Sequence, residues 1–388
     1  MRVGAYEFFA QERIIFGQPV NQVAPEQVAK LGAARVFIVA TRTLSRKTDV
    51  VTSLIKALGP KFVGLYDDCE SHVPRHTVFA ATEKARAAQP DLLISIGGGS
   101  AVDTGKMVLL CLAENAREGA DLEPLYVRTD DAGVVTIPTV KRPPCRQIVI
   151  PTTLSGGEFS HTAGCTDTLR HVKDIYIQRE LAAPVVILDP AITVHTPEWV
   201  WLASGMRAVD HAVSSLCSKR AQPFTDALSE RGLAMLATSL RITRQNPADI
   251  DQRMECQLGV WLSSMGMMRG QYGASHGLSW HLSAVADVPH GHCSCVLLPS
   301  VLRYNAPVNA EQQMVVSRVM GRPDKPAADA VLDLIHDLGL PYRLSQVGIK
   351  REHFAKIATD AMHNLLVRNN SRPIERPEDV LEILEMAW

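Results

Sequence analysis

The chain has 388 residues, of which 46% are hydrophobic and 21% charged, with a formal net charge of -1. Those values exclude a basic field that would attract nucleic acid or an anionic membrane surface. The length suits two domains better than one core. Its eight cysteines are scattered, with no C-x-x-C pair. That usage points to reduced thiols in a cytoplasmic setting, not to a disulfide framework or a structural zinc site. Cys293 and Cys295, two apart, would share a face if they lay on a strand. The first residues, Met1 to Glu7, lack the apolar run of a signal peptide. The longest apolar run, Met107 to Ala113, is too short to span a bilayer.

In chain order, Arg35–Ala40 predicts a buried strand, Ser45–Leu58 a helix, Phe62–Tyr66 a second strand and Thr77–Ala88 a second helix. Leu92–Ile96 is a third strand, followed by a helix from Ala101. Between Asp121 and Pro144 the chain is polar and strand-poor, as in a surface loop or insertion. Gln147–Ile150 and Val185–Leu188 are later strands. Strands alternating with helices predict a mainly parallel sheet covered on both faces. Beyond Asp189-Pro190 strand-like runs become rare. Trp199–Leu216, Pro223–Arg244, Ile250–Met268 and Ala327–Leu338 read as amphipathic helices. The expected division is 1–190, an α/β dinucleotide-binding domain, and 191–388, an all-helical catalytic domain.

The most informative stretch is Gly97-Gly98-Gly99-Ser100, between the third strand and its helix. Glycine lets the backbone approach an anion, and the first turn of a helix offers unpaired N–H groups to phosphate. The spacing departs from G-x-G-x-x-G, so it predicts a different pyrophosphate cradle.

Several motifs then occur in a fixed order. They are Phe16-Gly17, Gly97–Ser100 with Asp103 and Lys106, Pro151-Thr152-Thr153, Leu188-Asp189-Pro190, Pro289-His290-Gly291-His292 and Leu298–Asn305. Together they resemble the iron-containing (group III) alcohol dehydrogenases, of dehydroquinate-synthase-like fold. His72-Val73-Pro74 and Asn370–Ile374 are closer to the maleylacetate reductases of that family. The resemblance implies an active site in a cleft between the two domains and, commonly, a homodimer. It implies that Gly98, Gly99 and Ser100 hold the pyrophosphate of NADPH or NADH. By the same resemblance Asp103 faces the nicotinamide end, Thr152 and Thr153 bind the adenosine and phosphate side, and Lys173 reaches the nicotinamide ribose. The blander alternatives are an ordinary turn for the threonines and a solvated charge for Lys173. The first strand ends in Thr41-Arg42 with no acidic residue, which leans toward NADPH. Arg42 would either pair with a 2′-phosphate or stand solvated at a helix start.

The family's metal is held by one aspartate and three histidines. His211, His276 and His290 match the histidines, the last two fourteen positions apart. The aspartate position, one turn before His211, is Arg207. A guanidinium has no lone pair to give and repels a cation, so the expected site is metal-free. Two alternatives keep a divalent Fe or Zn. Asp210 could replace the lost ligand, although it lies about 100° around the helix from His211. Three histidines and a water could also form a tetrahedral site. In a metal-free site Arg207 would stabilise an alkoxide or clamp a carboxylate, and His211, His276 or His290 would supply the proton. The competing assignment for Arg207 is a salt bridge to an acid on a neighbouring helix. His161, His281 and His292 rank below the other three histidines, and Trp280 would narrow or dry the pocket.

The expected activity is therefore NAD(P)H-dependent reduction of a small carbonyl compound, an aldehyde or a keto acid related to maleylacetate. The competing assignments are a metal-dependent alcohol dehydrogenase, a non-redox lyase or cyclase of the same superfamily, and a dinucleotide-binding protein without catalysis.

Overall fold

The computed structural model describes residues 6–8, 10–130, 134–170, 172–267 and 272–388. It divides into two compact units. Glu7–Arg128 and Val135–Thr196 form the first; Pro197–Trp388, with Tyr6, Thr129, Asp130 and Val134, forms the second. The division falls at Thr196–Pro197 rather than near residue 190. The turn after Pro190 is tied back into the first unit. Asp189 accepts the Val20 N–H at 2.8 Å, and the Thr196 hydroxyl donates to the Thr152 carbonyl at 2.7 Å.

The first unit is built on six parallel strands in the order Arg13–Phe16, Val185–Leu188, Arg146–Pro151, Leu92–Gly97, Val36–Ala40 and Phe62–Tyr66. The inner strand runs are largely apolar because each face meets its own helical layer. Val36, Ile38 and Ala40 pack into one core with Val50, Val51, Leu54 and Leu58 of a helix. Phe37 and Val39 enter the opposite core with Val78, Ala81 and Met107–Cys111. From Val36–Ala40 the chain passes to Phe62–Tyr66 on one side and then to Leu92–Gly97 on the other. The switch point, where such sheets bind ligands, therefore lies between the carboxyl ends at Ala40 and Gly97.

Two local expectations change. The single helix Ser45–Leu58 is two, Arg42–Lys47 and Val50–Leu58. Thr48 breaks it by adopting an extended conformation, its hydroxyl donating to the Leu44 carbonyl at 2.6 Å and accepting from the Val50 N–H at 3.3 Å. An antiparallel hairpin, Thr162–Asp167 with Val172–Ile177, also follows the strand Arg146–Pro151, where the sequence pattern predicts no strand.

Among its described residues from Pro197 to Trp388 the second unit holds helices and turns without strands. Ile250–Ser263 ends in a short turn, Ser264–Gly266; Met268, placed in this helix from sequence, lies outside the described residues. Cys293 and Cys295 sit on the helix His290–Val319, not on a strand, and all eight cysteines are free thiols. That helix crosses Glu198–Leu216 closely: a Cβ on Gly291 would stand 2.3 Å from the Ala203 carbonyl oxygen. This approach brings Ser294 and Arg207 within reach of each other.

Candidate active site

At the carboxyl edge of the sheet, register sets the cofactor candidates side by side. Ala40 pairs with Ile96, and Gly97 with Pro151. Thr41 N–H donates to the Ile96 carbonyl at 3.3 Å, and Thr152 N–H to the Gly97 carbonyl at 2.9 Å. Gly97 has φ +143°, and a Cβ there would lie 2.5 Å from Thr41 Cγ2. A Cβ on Gly98 would reach Thr153 Cγ2 at 3.0 Å, and one on Gly99 would reach Ser155 Oγ at 3.1 Å. Gly98, Gly99 and Ser100 are part-exposed where the helix Gly99–Glu114 begins. A cradle that side chains would fill, at a helix N-terminus on a switch point, fits a dinucleotide pyrophosphate.

The same helix carries Asp103 and Lys106. Asp103 Oδ2 accepts the Gly164 N–H at 3.2 Å. The Lys173 chain lies against Gly164, so a Cβ there would meet Lys173 Cε at 2.2 Å. Asp103 and Lys173 are thus brought to one point of the hairpin. Lys106 is fully buried and donates to the Gly157 carbonyl at 2.7 Å, the Thr162 carbonyl at 2.8 Å and Ser160 Oγ at 3.1 Å. Burial pushes its pKa down, against the pull of Asp103 and Glu158. Glu158 is buried too, and burial pushes its carboxyl up to about 7.

Arg42 stands exposed at the start of the helix Arg42–Lys47, as one of the two alternatives expected, and is paired there with an acid. Its Nε and Nη2 contact Asp68 Oδ1 at 3.0 and 2.9 Å, and Arg46 bridges Asp67 and Asp68 beside it. The motif at His72-Val73 is a strained turn, with φ of 60° and 57°. Thr166 holds it, its hydroxyl on the His72 carbonyl at 2.6 Å and its N–H on the Val73 carbonyl at 2.9 Å. Such outliers persist where surroundings over-determine them.

In the helical unit a polar cluster gathers around Asp210, which is fully buried. Its Oδ2 accepts from Ser275 at 2.6 Å and Ser294 at 2.8 Å; its Oδ1 accepts from Ser214 at 3.0 Å. Arg207 Nη1 lies 3.8 Å from Asp210 Oδ2 and donates to Ser294 Oγ at 3.3 Å and Ser279 Oγ at 3.4 Å. Among the described residues no acceptor lies within hydrogen-bond distance of Arg207 Nε or Nη2. The acid beside Arg207 is therefore on its own helix, not a neighbouring one.

His211 Nδ1 and His276 Nε2 are 2.8 Å apart. His276 Nδ1 stands 3.3 Å from Asp210 Oδ1 and 3.4 Å from Ser214 Oγ. Burial, then the charges of Arg207, His211 and His290, hold His276 well below the usual imidazole range. Tyr272 stacks on both rings, at 5.1 Å from His211 and 4.1 Å from His276. Its buried hydroxyl has no hydrogen-bond partner among the described residues. Asn370, from the second motif shared with maleylacetate reductases, accepts the Ala274 N–H at 3.2 Å and so steadies the start of the helix bearing His276. His290 Nδ1 lies 3.4 Å from Ser283 Oγ. His281 is 3.4 Å from Asn364 Nδ2 and His292 packs on Trp199, ordinary partners for both.

This donor set does not fit the family's metal. Among the described residues no three His, Cys, Asp or Glu side chains converge as a metal site. His211 and His276 use facing nitrogens on each other, and Asp210 spends its oxygens on three serines. For Asp210 to act as a replacement ligand it would have to leave its serines, and a three-histidine site of His211, His276 and His290 would have to break the His211–His276 contact. Sequence reasoning overlooked the serines and Tyr272. A Ser at 275, 279, 283 and 294 in otherwise apolar helices was the available signal.

The chain matches the model of iron-containing alcohol dehydrogenases over residues 11–190 and that of the family's C-terminal region over 201–388. It is 33% identical to the dehydrogenase ALT3 of Alternaria alternata, over 92% of this chain and 99% of that one. It is 28% identical to the maleylacetate reductase of Sphingobium indicum, over 97% and 95%. The crystal structure of maleylacetate reductase from Agrobacterium tumefaciens superposes with a TM-score of 0.81 at 25% identity, over 100% and 99%. Among the described residues no helix is long and apolar enough to cross a membrane. The chain belongs to the iron-containing alcohol dehydrogenase family, in its maleylacetate reductase-like branch, and is an oxidoreductase of that superfamily.

Proposed function

We propose that this protein reduces a small oxo acid with NADPH or NADH and that no metal takes part. The observation that carries the reading is Arg207. It stands where the family resemblance places a carboxylate ligand, and its Nε and Nη2 are uncommitted among the described residues. Gly98, Gly99, Ser100, Thr152 and Thr153 would hold the dinucleotide, with Thr41, Arg42, Asp103 and Lys173 around it. When bound, the nicotinamide supplies the hydride.

In the helical unit Arg207 binds substrate oxygen, either the carboxylate in a two-point fork or the oxygen on which negative charge develops. His211 gives that oxygen its proton through Nε2, since Nδ1 is engaged by His276. His276, kept neutral by burial, orients His211 without competing for the proton. His211 takes a proton from solvent at Nε2 before passing it on, so hydride on carbon and proton on oxygen convert the carbonyl to an alcohol with one reduced cofactor and one solvent proton consumed.

The test follows cofactor oxidation at 340 nm with metal-free protein against aldehydes, 2-oxo acids, oxo-dicarboxylates and an unsaturated oxo-dicarboxylate. Turnover on oxo acids that a chelator leaves unchanged is the expected result. Activity that requires one Fe or Zn per chain, or turnover confined to uncharged aldehydes, would overturn it. Product analysis of the unsaturated substrate separates C=O from C=C reduction.

A further inference from the structure

Asp210 touches more of the helical cluster than any group the reading above employs, and it touches it through hydroxyls. A carboxylate only accepts hydrogen bonds. Each serine has one hydroxyl proton, and three of those protons point at Asp210. Ser294 therefore presents a lone pair to its other neighbour, Arg207 Nη1, at 3.3 Å. Ser214 likewise presents a lone pair to His276 Nδ1, at 3.4 Å.

The direction then propagates. His276 must carry its proton on Nδ1, because a bare Nδ1 would set its lone pair against Asp210 Oδ1 at 3.3 Å. His276 Nε2 is then bare and accepts from His211 Nδ1–H at 2.8 Å. His211 Nδ1 is thereby committed to His276.

We infer that Asp210 is a positioning residue that fixes the hydrogen-bond direction of two arms, one through Ser294 to Arg207 and one through Ser214 and His276 to His211. The kinetic part of this inference rests on the proposed carbonyl reduction; the tautomer part does not. Because the arms are separate, they have separate consequences. The Ser294 arm holds the group that binds substrate, and the Ser214 arm orients the group that gives the proton.

The experiment has two arms. The first is nitrogen-15 NMR of the full chain labelled at histidine, with His276 assigned by a His276→Gln variant. His276 protonated on Nδ1 and bare on Nε2 is expected, with that signature lost in Asp210→Asn, whose amide can turn a donor toward Nδ1, and retained in Ser214→Thr. A wild-type His276 protonated on Nε2 overturns the inference, whatever the enzyme reduces. The second is steady-state kinetics on an active oxo acid. Ser294→Ala is expected to raise KM roughly tenfold with kcat within about threefold. Ser214→Ala is expected to lower kcat roughly tenfold with KM within about threefold, and Ser214→Thr to restore it. Equal effects of both serine variants on both constants, or an Asp210→Asn enzyme with wild-type constants, overturn it as well. Absence of any oxo-acid turnover defeats the proposed function, and the NMR arm then decides this inference alone.

Discussion

Arg207 and Asp210 stand one helical turn apart, Nη1 to Oδ2 at 3.8 Å, with the carboxylate wholly buried and the guanidinium part-exposed. The negative charge that the family resemblance places at position 207 is thus found three residues later, turned into the core and held by serines. A cation of the protein's own takes the vacated position. Burial pushes the Asp210 carboxyl up, and Arg207 with three hydroxyl donors pulls it back.

If Arg207 stabilises developing charge on substrate, Arg207→Ala should lower kcat/KM for the oxo acid by about 10²–10³. Cofactor KM should stay within about threefold, since the cradle lies on the α/β unit. Arg207→Lys should recover little, because a point charge does not reproduce a planar fork. Steady-state kinetics of both variants is the check, and an alanine variant within threefold of wild type removes Arg207 from the mechanism.

Lys106 joins the cradle's helix to the hairpin that carries Lys173. Lys106→Met keeps the length but removes the ammonium donor shared by the Gly157 and Thr162 carbonyls, and the single Ser160 hydroxyl proton can serve only one of them. A loss of roughly 1–3 kcal/mol in urea unfolding is expected, for the one buried carbonyl left unpaired. Dinucleotide binding should weaken while AMP, which spans only part of the site, binds nearly as before. Calorimetry with the two ligands distinguishes this from a general loss of folded protein.

Gly97→Ala places a methyl 2.5 Å from Thr41 Cγ2 on a backbone at φ +143°. Both the clash and the conformation oppose it. Thermal unfolding should fall by several degrees, and cofactor affinity should drop at least tenfold. A stable variant with unaltered cofactor affinity would show that this turn does not shape the cradle.

Glu158 supplies the pH prediction. Its folded-state pKa is raised from the ordinary 4.5 to about 7, so the folded protein binds the extra proton. Stability from this group is therefore full below about 4.5 and declines as pH rises to about 7. Glu158→Gln should remove that decline and stabilise the protein at pH 8 by about 3 kcal/mol, at roughly 1.36 kcal/mol per pKa unit. Urea unfolding at pH 4.5 and pH 8 is the comparison; an equal effect at both would mean the carboxyl is not raised.

The five parallel strands from Val36–Ala40 to Val185–Leu188 and the helices Glu198–Leu216, Pro223–Gln245 and Ile250–Ser263 were legible because each depends on local pattern, β-branched runs or helical spacing; the longest helix, His290–Val319, interrupted by Pro299 and Pro307, was not. The edge strand Arg13–Phe16 and the hairpin Thr162–Asp167 with Val172–Ile177 were not. Arg13-Ile14-Ile15-Phe16 is short, and Thr-Ala-Gly-Cys-Thr-Asp has no apolar run; both are strands because partners bond to them. Likewise Thr48 split a helix that hydrophobic spacing alone would have continued.

By itself the sequence determined the parallel sheet, the glycine turn that ends its Leu92–Gly97 strand, the family, and the presence of Arg207 where the family resemblance implies a carboxylate. These follow from residue types at fixed spacing along one chain. The tertiary structure decided what surrounds Arg207. Asp210, Ser214, His211 and Arg207 share one helix, but Ser275, His276, Ser279 and Ser294 come from two others far along the chain. Only helix packing, tightened where Gly291 meets Ala203, brings their hydroxyls and rings within hydrogen-bond distance. Hydrogen bonds act over about 3 Å and carry no trace in sequence separation, so the cluster became visible only once the chain was folded.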